Sequence, residues 1–384
     1  MRDSTRAIHQ QQHTYQDEHH GAVNTPVYLT STYVQKSPGV YDIYDYSRTA
    51  NPTRTALQQT LAGLEGAKHA LVFSSGMGAI QTVMSLFDNH THILCIDDLY
   101  GGTHRLFEQV LKKFGMRFSY VDLSDAKDVE TAIVPETRAI WIESPTNPLL
   151  KITDIKRIAE IAKKHDILTI VDNTFATPFF QKPLGLGADI VVHSLTKYVN
   201  GHSDVVAGAV MVDEDRLFER LQFLQNAVGA IPGPFDCFLI HRGIKTFPLR
   251  MKKHEENASR IATYLERHKN VKRVIYPGLG SHPGHAVARR QMSGFSGMIS
   301  FEIQGNLEDA RTMLERLKLF KLAESLGGVM SLADHPATMT HSAIPRAERE
   351  KRGISDTLIR LSVGIEDAED LLDDLDQALR PRNA

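Results

Sequence analysis

The sequence is poor in cysteine. Cys95 and Cys237 are the only two among its 384 residues, so no disulfide framework holds the fold together. This usage is typical of proteins in a reducing compartment, and we expect a cytoplasmic location. Long apolar runs are missing as well: residues 1–9 hold no apolar segment of signal-peptide length, and no later run approaches the length of a membrane span. We therefore expect neither a secretory signal nor a membrane partner.

An excess of charge of one sign is also missing. The chain has 44 lysines and arginines against 46 acidic residues, a formal net charge of −2. Nucleic-acid-binding proteins usually carry a basic excess on one face, so we expect no nucleic-acid partner. The 18 histidines include His19 next to His20, and His282 close to His285. Neither pair has the helical spacing or the cysteine partners of a zinc site, and we expect no metal.

Apolar runs alternate with amphipathic helical patterns from about residue 55 onward, as in a parallel sheet covered by helices on both faces. Residues 1–48 are polar, rich in glutamine and histidine, and without a sustained helical period, which predicts an extended arm. The predicted strands of one large, mostly parallel seven-stranded sheet are 70–73, 93–96, 118–121, 139–142, 168–171, 190–192 and 207–212.

The sequence pattern changes after a long helical pattern over residues 235–268. Its runs alternate between apolar and polar residues, which predicts a smaller α+β domain with a mostly antiparallel sheet. The predicted strands are 274–276, 298–303 and 358–363, and the predicted helices are 307–317 and 367–379. We expect three parts in this α/β protein: an arm at 1–48, a large domain at 49–245 and a small domain at 246–384.

Two charged residues leave neighbouring buried strands of the large sheet. Asp172 follows the run 168–171, and Lys197 follows the run 190–192. A lysine amine can form an imine with the aldehyde of pyridoxal phosphate (PLP), and a carboxylate beside the pyridine nitrogen keeps that nitrogen protonated. We predict that these two residues bind PLP and act in catalysis.

A small-residue turn at 74–79 links a strand to a helix, where free backbone N–H groups can receive a phosphate. The turn lacks the lysine of a Walker loop and the full spacing of a dinucleotide fingerprint, so an ordinary tight turn is the alternative. Ser194 and Thr196 flank the predicted lysine turn and offer hydroxyl donors to the same phosphate. The missing fingerprint also argues against a nicotinamide-dependent oxidoreductase on a similar sheet.

Further polar residues follow other strands of the sheet. The Tyr100 ring can lie flat on a pyridine ring, or it can pack over its own loop. Asn147 can bind the phenolic oxygen of PLP or the carboxylate of the substrate. Because the carboxyl ends of parallel strands meet at one edge, these side chains are predicted to converge.

Two arginines lie in different sequence surroundings. Arg360 lies inside the apolar run 358–361, where a cation needs an anion to offset its desolvation, and the carboxylate of an amino acid would supply one. Arg48 lies outside the sheet-forming region, and its local sequence favours a solvated surface charge.

Five motifs together resemble one known family. They are 46–48 with 51–53 (Tyr-Ser-Arg and Asn-Pro-Thr), 75–77 (Ser-Gly-Met), 100–102 (Tyr-Gly-Gly), 172–174 (Asp-Asn-Thr) and 194–198 (Ser-Leu-Thr-Lys-Tyr). From about residue 5 to 379 the chain resembles the Cys/Met-metabolism PLP-dependent enzymes of fold type I. This group includes cystathionine γ-synthase, cystathionine γ-lyase, cystathionine β-lyase and methionine γ-lyase.

The resemblance implies a role for each motif residue. Lys197 would be the imine lysine and proton shuttle, Asp172 would pair with the pyridine nitrogen, and Tyr100 would stack on the ring and help to move the proton. Tyr46 and Arg48 would reach the phosphate of a neighbouring subunit, in a homotetramer built from two catalytic dimers. The residues implied to hold the phosphate are Gly76, Met77, Ser194 and Thr196. The implied substrate contacts are Asp45, Tyr46, Arg105, Asn147, Glu324, Ser325, Thr340 and Arg360.

The implied reaction is cleavage of a carbon–sulfur bond in a sulfur amino acid. The C-terminal run 353–364 looks most like cystathionine γ-lyases, whereas γ-synthase and β-lyase activity remain alternatives. Methionine γ-lyases typically have a cysteine where this chain has Gly102, and the family usually has a glutamate where it has Met330. An alternative from another class is a PLP-fold protein that has lost catalysis and serves as a binding module.

Overall fold

The computed structural model describes residues 1–9, 22–342 and 345–380 of the chain. Residues 10–21 of the predicted arm, including His19 and His20, lie outside the described residues. In these described ranges, none of the helices combines the length and the apolar character that a membrane crossing requires.

The large sheet has seven strands, as the sequence predicts. They are β1 (His69–Phe73), β2 (His92–Ile96), β3 (Arg117–Val121), β4 (Thr137–Glu143), β5 (Leu168–Asp172), β6 (Ile190–Ser194) and β7 (Gly208–Val212). Their order is β1-β7-β6-β5-β4-β2-β3, and β7 runs antiparallel to both of its neighbours. All other pairs are parallel, which confirms the expected mostly parallel α/β sheet.

Helices cover both faces of this sheet. They are α1 (Asp3–His9), α2 (Pro52–Glu65), α3 (Gly76–Met84), α4 (Gly101–Gln109), α5 (Ala126–Ala132), α6 (Ile155–Lys164), α7 (Thr177–Phe180) and α8 (Asp215–Val228), with short 3₁₀ helices at Leu111–Phe114 and Pro183–Leu186. Successive side chains of β1 enter different cores: Leu71 and Phe73 pack on one face, and Ala70 and Val72 on the other. This double burial explains why the strands read as continuous apolar runs.

Helices α9 (Pro234–Ile244) and α10 (Phe247–Arg267) lead from the large sheet to the second sheet. The sequence predicts a single helical stretch here, but the structure breaks it at Lys245 and Thr246. Pro248 accounts for the break, because proline lacks a backbone N–H and fits the first turn of a helix but not its interior.

The second sheet has five strands in the order β10-β11-β12-β9-β8, and only β10 and β11 are parallel to each other. The strands are β8 (Val271–Ile275), β9 (Met298–Ile303), β10 (Lys321–Leu322), β11 (Leu332–Asp334) and β12 (Leu358–Ser362). The accompanying helices are α11 (His285–Gln291), α12 (Leu307–Arg316), α13 (Arg346–Lys351) and α14 (Ala368–Ala378). The mostly antiparallel sheet was expected, but β10 and β11 are too short to leave a pattern in the sequence.

Within residues 1–9 and 22–48, the described part of the predicted extended arm, the structure has one helix, α1. Ala7 is fully buried against the core on the α2 side of the large sheet. The Lys182 Nζ lies 3.0 Å from Asp3 Oδ1, and the Lys245 Nζ donates to the carbonyl oxygen of Ile8 at 2.7 Å. The helix therefore depends on contacts with distant parts of the chain, which a local period does not report.

The core of the large sheet supplies a matched test of packing. Phe107 is fully buried, stacked on Phe118 and edge-on to Trp141, whereas Phe114 is 70% exposed. We expect Phe107→Ala to lower the free energy of unfolding by about 3–5 kcal/mol and Phe114→Ala by no more than about 0.5 kcal/mol. Guanidinium unfolding at fixed protein concentration, followed by Trp141 fluorescence, measures both, and equal losses would contradict the packing described.

Candidate active site

A cavity of about 280 Å³ lies at the carboxyl ends of β4, β5 and β6, beside the first turn of α3. Its opposite wall comes from the second sheet, through β12 and the loop between β10 and β11. Residues proposed from the sequence that line it are Gly76, Met77, Tyr100, Asn147, Asp172, Ser194, Thr196, Lys197, Glu324, Ser325, Thr340 and Arg360. The predicted convergence at one sheet edge is therefore present.

Lys197 lies in the turn that follows β6, and its Nζ donates to Ser325 Oγ at 2.7 Å. Burial, together with the positive charge of Arg360, lowers the pKa of the amine from its ordinary value to about 8. An appreciable fraction of this amine is therefore neutral just above neutral pH, as a nucleophile or proton acceptor must be.

The Asp172 carboxyl is fixed by the residue two positions later. Oδ1 accepts hydrogen bonds from the Thr174 N–H at 3.0 Å and from Thr174 Oγ1 at 2.6 Å. Burial raises the pKa of Asp172, while the Thr174 hydrogen bonds and the charge of His193 act in the opposite direction. The carboxyl thus has one fixed orientation at the wall of the cavity.

A second buried carboxyl, Glu143, lines the same wall and was missed by the sequence analysis. It ends β4 directly beside Asp172 at the end of β5. The signal that could have found it is the same as for Asp172: an acidic residue closing an apolar run. Other lining residues that were not proposed individually are Ser75, Ile80, Thr174, Phe175, Val192, Val206 and Leu326.

The first turn of α3 forms a cradle for an anion. Ser75 caps the helix by accepting from the Gly78 N–H at 2.9 Å. A Cβ added to Gly76 would lie 3.1 Å from the Cβ of Ser194, and one added to Gly208 would lie 2.3 Å from the carbonyl oxygen of Ser75. The glycines let backbone N–H groups face the cavity beside a hydroxyl, a geometry that suits phosphate. The Thr196 hydroxyl, by contrast, pairs with the backbone of Ala207.

Arg360 is the cation of the opposite wall, and its side chain is 2% exposed. Nη1 donates to Asn147 Oδ1 at 2.7 Å, and Nη2 donates to the carbonyl oxygen of Ser325 at 3.1 Å. Asp334, its cross-strand neighbour, lies 3.6 Å away. Among the described residues nothing accepts from the buried Nε, so the guanidinium keeps donor capacity for a carboxylate.

Tyr100 precedes α4, lines the cavity and is 39% exposed. A Cβ added to Gly102 would lie 2.4 Å from Cε1 of the Tyr100 ring, so the glycine leaves room for the ring. Burial raises the pKa of the Tyr100 hydroxyl, and the nearby positive charge of Arg105 opposes that change.

Four predicted residues are not brought into the cavity wall of this single chain: Asp45, Tyr46, Arg48 and Arg105. Arg48 lies over the Tyr46 ring at 5.5 Å and donates to the carbonyl oxygen of Asn226 at 2.6 Å. Its backbone is held by the buried Arg54, whose guanidinium donates to the carbonyl oxygens of Ser47 and Arg48.

No cluster of three metal-ligating side chains occurs within residues 1–9, 22–342 and 345–380.

The sequence pattern of one family, described as "Cys/Met metabolism PLP-dependent enzyme", matches residues 4–380. The chain belongs to this family. PLP is the cofactor of Cys/Met metabolism PLP-dependent enzymes, and the cavity fits it: the Lys197 amine, the Asp172 carboxyl and the anion cradle at α3 surround one space.

Individual members of the Cys/Met metabolism family cover almost the whole chain. It is 52% identical over 364 residues to a cystathionine γ-lyase of Dictyostelium discoideum, covering 94% of each chain. It is 54% identical over 377 residues to a cystathionine β-lyase of Coxiella burnetii, covering 98% of this chain and 97% of the relative. A crystal structure of cystathionine γ-lyase from Lactobacillus plantarum, complexed with L-serine, superposes with a TM-score of 0.95 at 49% identity, covering 98% of both chains.

The lowered pKa of Lys197 predicts how the apoenzyme captures PLP. Only the neutral amine attacks an aldehyde, so we expect the rate of attachment to rise with pH from about 7 to 9, with a midpoint near 8. Borohydride trapping followed by peptide mapping measures the rate at Lys197. Arg360→Met removes a positive charge that lowers this pKa and should move the midpoint to higher pH. A wild-type midpoint near the ordinary lysine value would refute this account.

Proposed function

We propose that the chain is a PLP-dependent carbon–sulfur lyase of trans-sulfuration. It cleaves cystathionine by γ-elimination to cysteine, 2-oxobutanoate and ammonia. The observation that carries this proposal is the convergence of Lys197, Asp172 and Arg360 on one largely buried cavity. Family membership and the γ-lyase relatives at about half identity support the choice of reaction.

Lys197 and Asp172 serve the cofactor in this proposal. Lys197 would hold PLP through its amine, and the same amine would take the proton from the substrate Cα. Its pKa of about 8 suits a group that accepts and returns protons. Asp172 would supply a negative charge to the pyridine nitrogen of PLP. When bound, PLP supplies a ring that accepts electrons from the substrate.

Further residues position the ring and the phosphate. Tyr100 would stack on the ring of PLP and take part in proton movement, and its place in the cavity lining supports this role. The phosphate is held by Gly76, Met77, Ser194 and Thr196. The Thr196 hydroxyl donates to the carbonyl oxygen of Ala207 and would exchange that hydrogen bond for one to the phosphate.

Arg360 receives the carboxylate of the amino-acid substrate, together with Asn147 and Ser325. The short contact between Arg360 and Asn147 presents both groups on the same side of the cavity. Because Ser325 Oγ also accepts from Lys197, the carboxylate site and the reactive amine share a side chain and are kept at a fixed separation.

The distal end of cystathionine requires polar partners away from the cofactor. Glu324 and Thr340 line the cavity and supply two of them. Asp45, Tyr46 and Arg105 complete this end in the proposal. Met330 is 55% exposed and lies outside the cavity lining, so the charge lost at this position bears on substrate entry rather than on the reacting atoms.

The proposed assembly is a homotetramer of two catalytic dimers, in which Tyr46 and Arg48 reach the phosphate of the adjacent subunit. Support comes from the segment around them, where Leu29, Val34 and Ile43 expose 71–96% of their surface. We also propose the division into an arm at 1–48, a large domain at 49–245 and a small domain at 246–384. A cytoplasmic location agrees with two cysteines that are buried and unpaired.

A β-lyase activity is the second candidate, favoured by the 54% identity to the Coxiella β-lyase. Both reactions begin with removal of the Cα proton, and γ-elimination needs a second deprotonation at Cβ. A γ-synthase would instead join cysteine to an activated homoserine ester.

Product analysis of the PLP-loaded enzyme with cystathionine tests the proposed reaction. We expect cysteine and 2-oxobutanoate in equal amounts, because the sulfur leaves from the γ carbon. Homocysteine with pyruvate would establish β-elimination instead. A failure to form any keto acid would overturn lyase activity and leave the synthase reaction.

Complementation between two inactive variants tests the shared site. Lys197→Ala removes the amine and Arg48→Ala removes the arm contact, and we expect each alone to be inactive. In a mixed dimer one site has both defects and the other has neither, so random pairing restores about a quarter of wild-type activity. Co-expression with two different affinity tags isolates the assemblies that contain both chains, among them those with mixed dimers. No recovery in these assemblies would mean that Arg48 acts within its own chain.

A further inference from the structure

Two buried carboxyls end adjacent strands at the cavity wall. Glu143 closes β4, Asp172 closes β5, and the two residues are direct neighbours in the parallel ladder. Glu143 is 4% exposed and Asp172 is 8% exposed. Two like charges on neighbouring buried residues repel each other, which favours a pair that keeps one proton.

Glu143 also connects two loops that reach the cavity. Its Oε2 accepts from the backbone N–H of Tyr100 at 3.0 Å. The backbone N–H of Asn147 lies near the same carboxyl and lowers its pKa. Glu143 therefore bonds to the start of the Tyr100 loop and lies against the loop of Asn147, whose amide is paired with Arg360.

The surroundings decide which carboxyl keeps the proton. Burial and the negative charge of Asp172 raise the pKa of Glu143 well above its usual range, and the backbone N–H groups of Tyr100 and Asn147 act in the opposite direction. The Thr174 hydroxyl donates to Asp172, and so does the Thr174 N–H. Asp98, a third buried acid behind these loops, adds further negative charge near Glu143.

We propose that Glu143 is a positioning residue that works as a neutral carboxylic acid. Its oxygen anchors the loops of Tyr100 and Asn147. Because Glu143 keeps the proton of the pair, Asp172 remains a carboxylate. The inference rests on the proposed roles of Tyr100, Asn147 and Asp172 toward PLP and substrate. It adds Glu143 as a residue that acts through these three and does not contact the reacting atoms of PLP or substrate.

The site should therefore require the acceptor oxygen of Glu143 but not its ability to ionise. A glutamine keeps an oxygen acceptor of the same reach and is always neutral. A leucine keeps the approximate volume and removes the acceptor. Comparison of Glu143→Gln with Glu143→Leu therefore separates anchoring from charge, and Glu136→Gln, at an exposed acid just before β4, is the matched control.

Holoenzymes of the three variants are compared by PLP affinity, by the circular dichroism band of bound PLP, and by kcat and KM for cystathionine. We expect E143Q and E136Q to stay within about threefold of wild type in every readout. E143L should alter the dichroism band, weaken PLP binding, lower kcat by about tenfold or more and raise KM, because displaced loops misplace the Tyr100 ring and Asn147.

Two results would overturn the inference. If E143Q were as impaired as E143L, Glu143 would act through its charge; if E143L kept the wild-type dichroism band and kcat, no positioning role would exist. Should E143L fail to fold, Glu143→Asp replaces it, because the shorter side chain withdraws the acceptor from the Tyr100 N–H. The dichroism and affinity readouts do not depend on which sulfur substrate is cleaved, so they separate this inference from the proposed reaction.

Discussion

The removal of water from charged groups at one edge of the large sheet is the constraint on which the rest of the site depends. Burial alone pushes the pKa of Lys197 down and the pKa values of Asp172 and Glu143 up, in each case toward the neutral form. Each charge that persists there has a specific partner, as Arg360 has in Asn147 and Ser325. The cavity therefore holds groups that burial shifts toward the neutral form, such as the Lys197 amine, beside the charged Arg360, whose charge has hydrogen-bond partners.

The two sheets meet at that space, and neither holds a complete site. The large sheet supplies Lys197, Asp172 and the anion cradle at α3, whereas the second sheet supplies Arg360 and the loop of Ser325. Ser325 connects the two parts of the site, since its hydroxyl accepts from Lys197 and its carbonyl accepts from Arg360. Its φ of 88° lies in the left-handed region, a conformation that a serine holds only where its surroundings impose it.

Much of this was predictable from the sequence, for a physical reason. Double burial gives most strands of the large sheet an apolar run, although the edge strand β3 is only partly buried, and parallel strands bring the residues after those runs to one edge. The direction of β7, helix α1 and the short strands β10 and β11 depend on distant contacts and left no local pattern. Glu143 closes an apolar run as Asp172 does, but its hydrogen bond to the Tyr100 N–H spans 43 positions and leaves no local pattern. The contact between Arg360 and Asn147 joins residues 213 positions apart, which no local period encodes.

The insertion of β7 between β1 and β6 affects how the protein folds. Phe73, which leads into the cradle at α3, pairs with Gly208, so β1 gains its ladder partner only after most of the sheet has been synthesised. Pairings across such long loops form slowly, because the entropy of loop closure is lost before the new contacts exist. We therefore expect the cradle at α3 to become rigid late, so that a nearly complete chain rather than a nascent one would bind the cofactor.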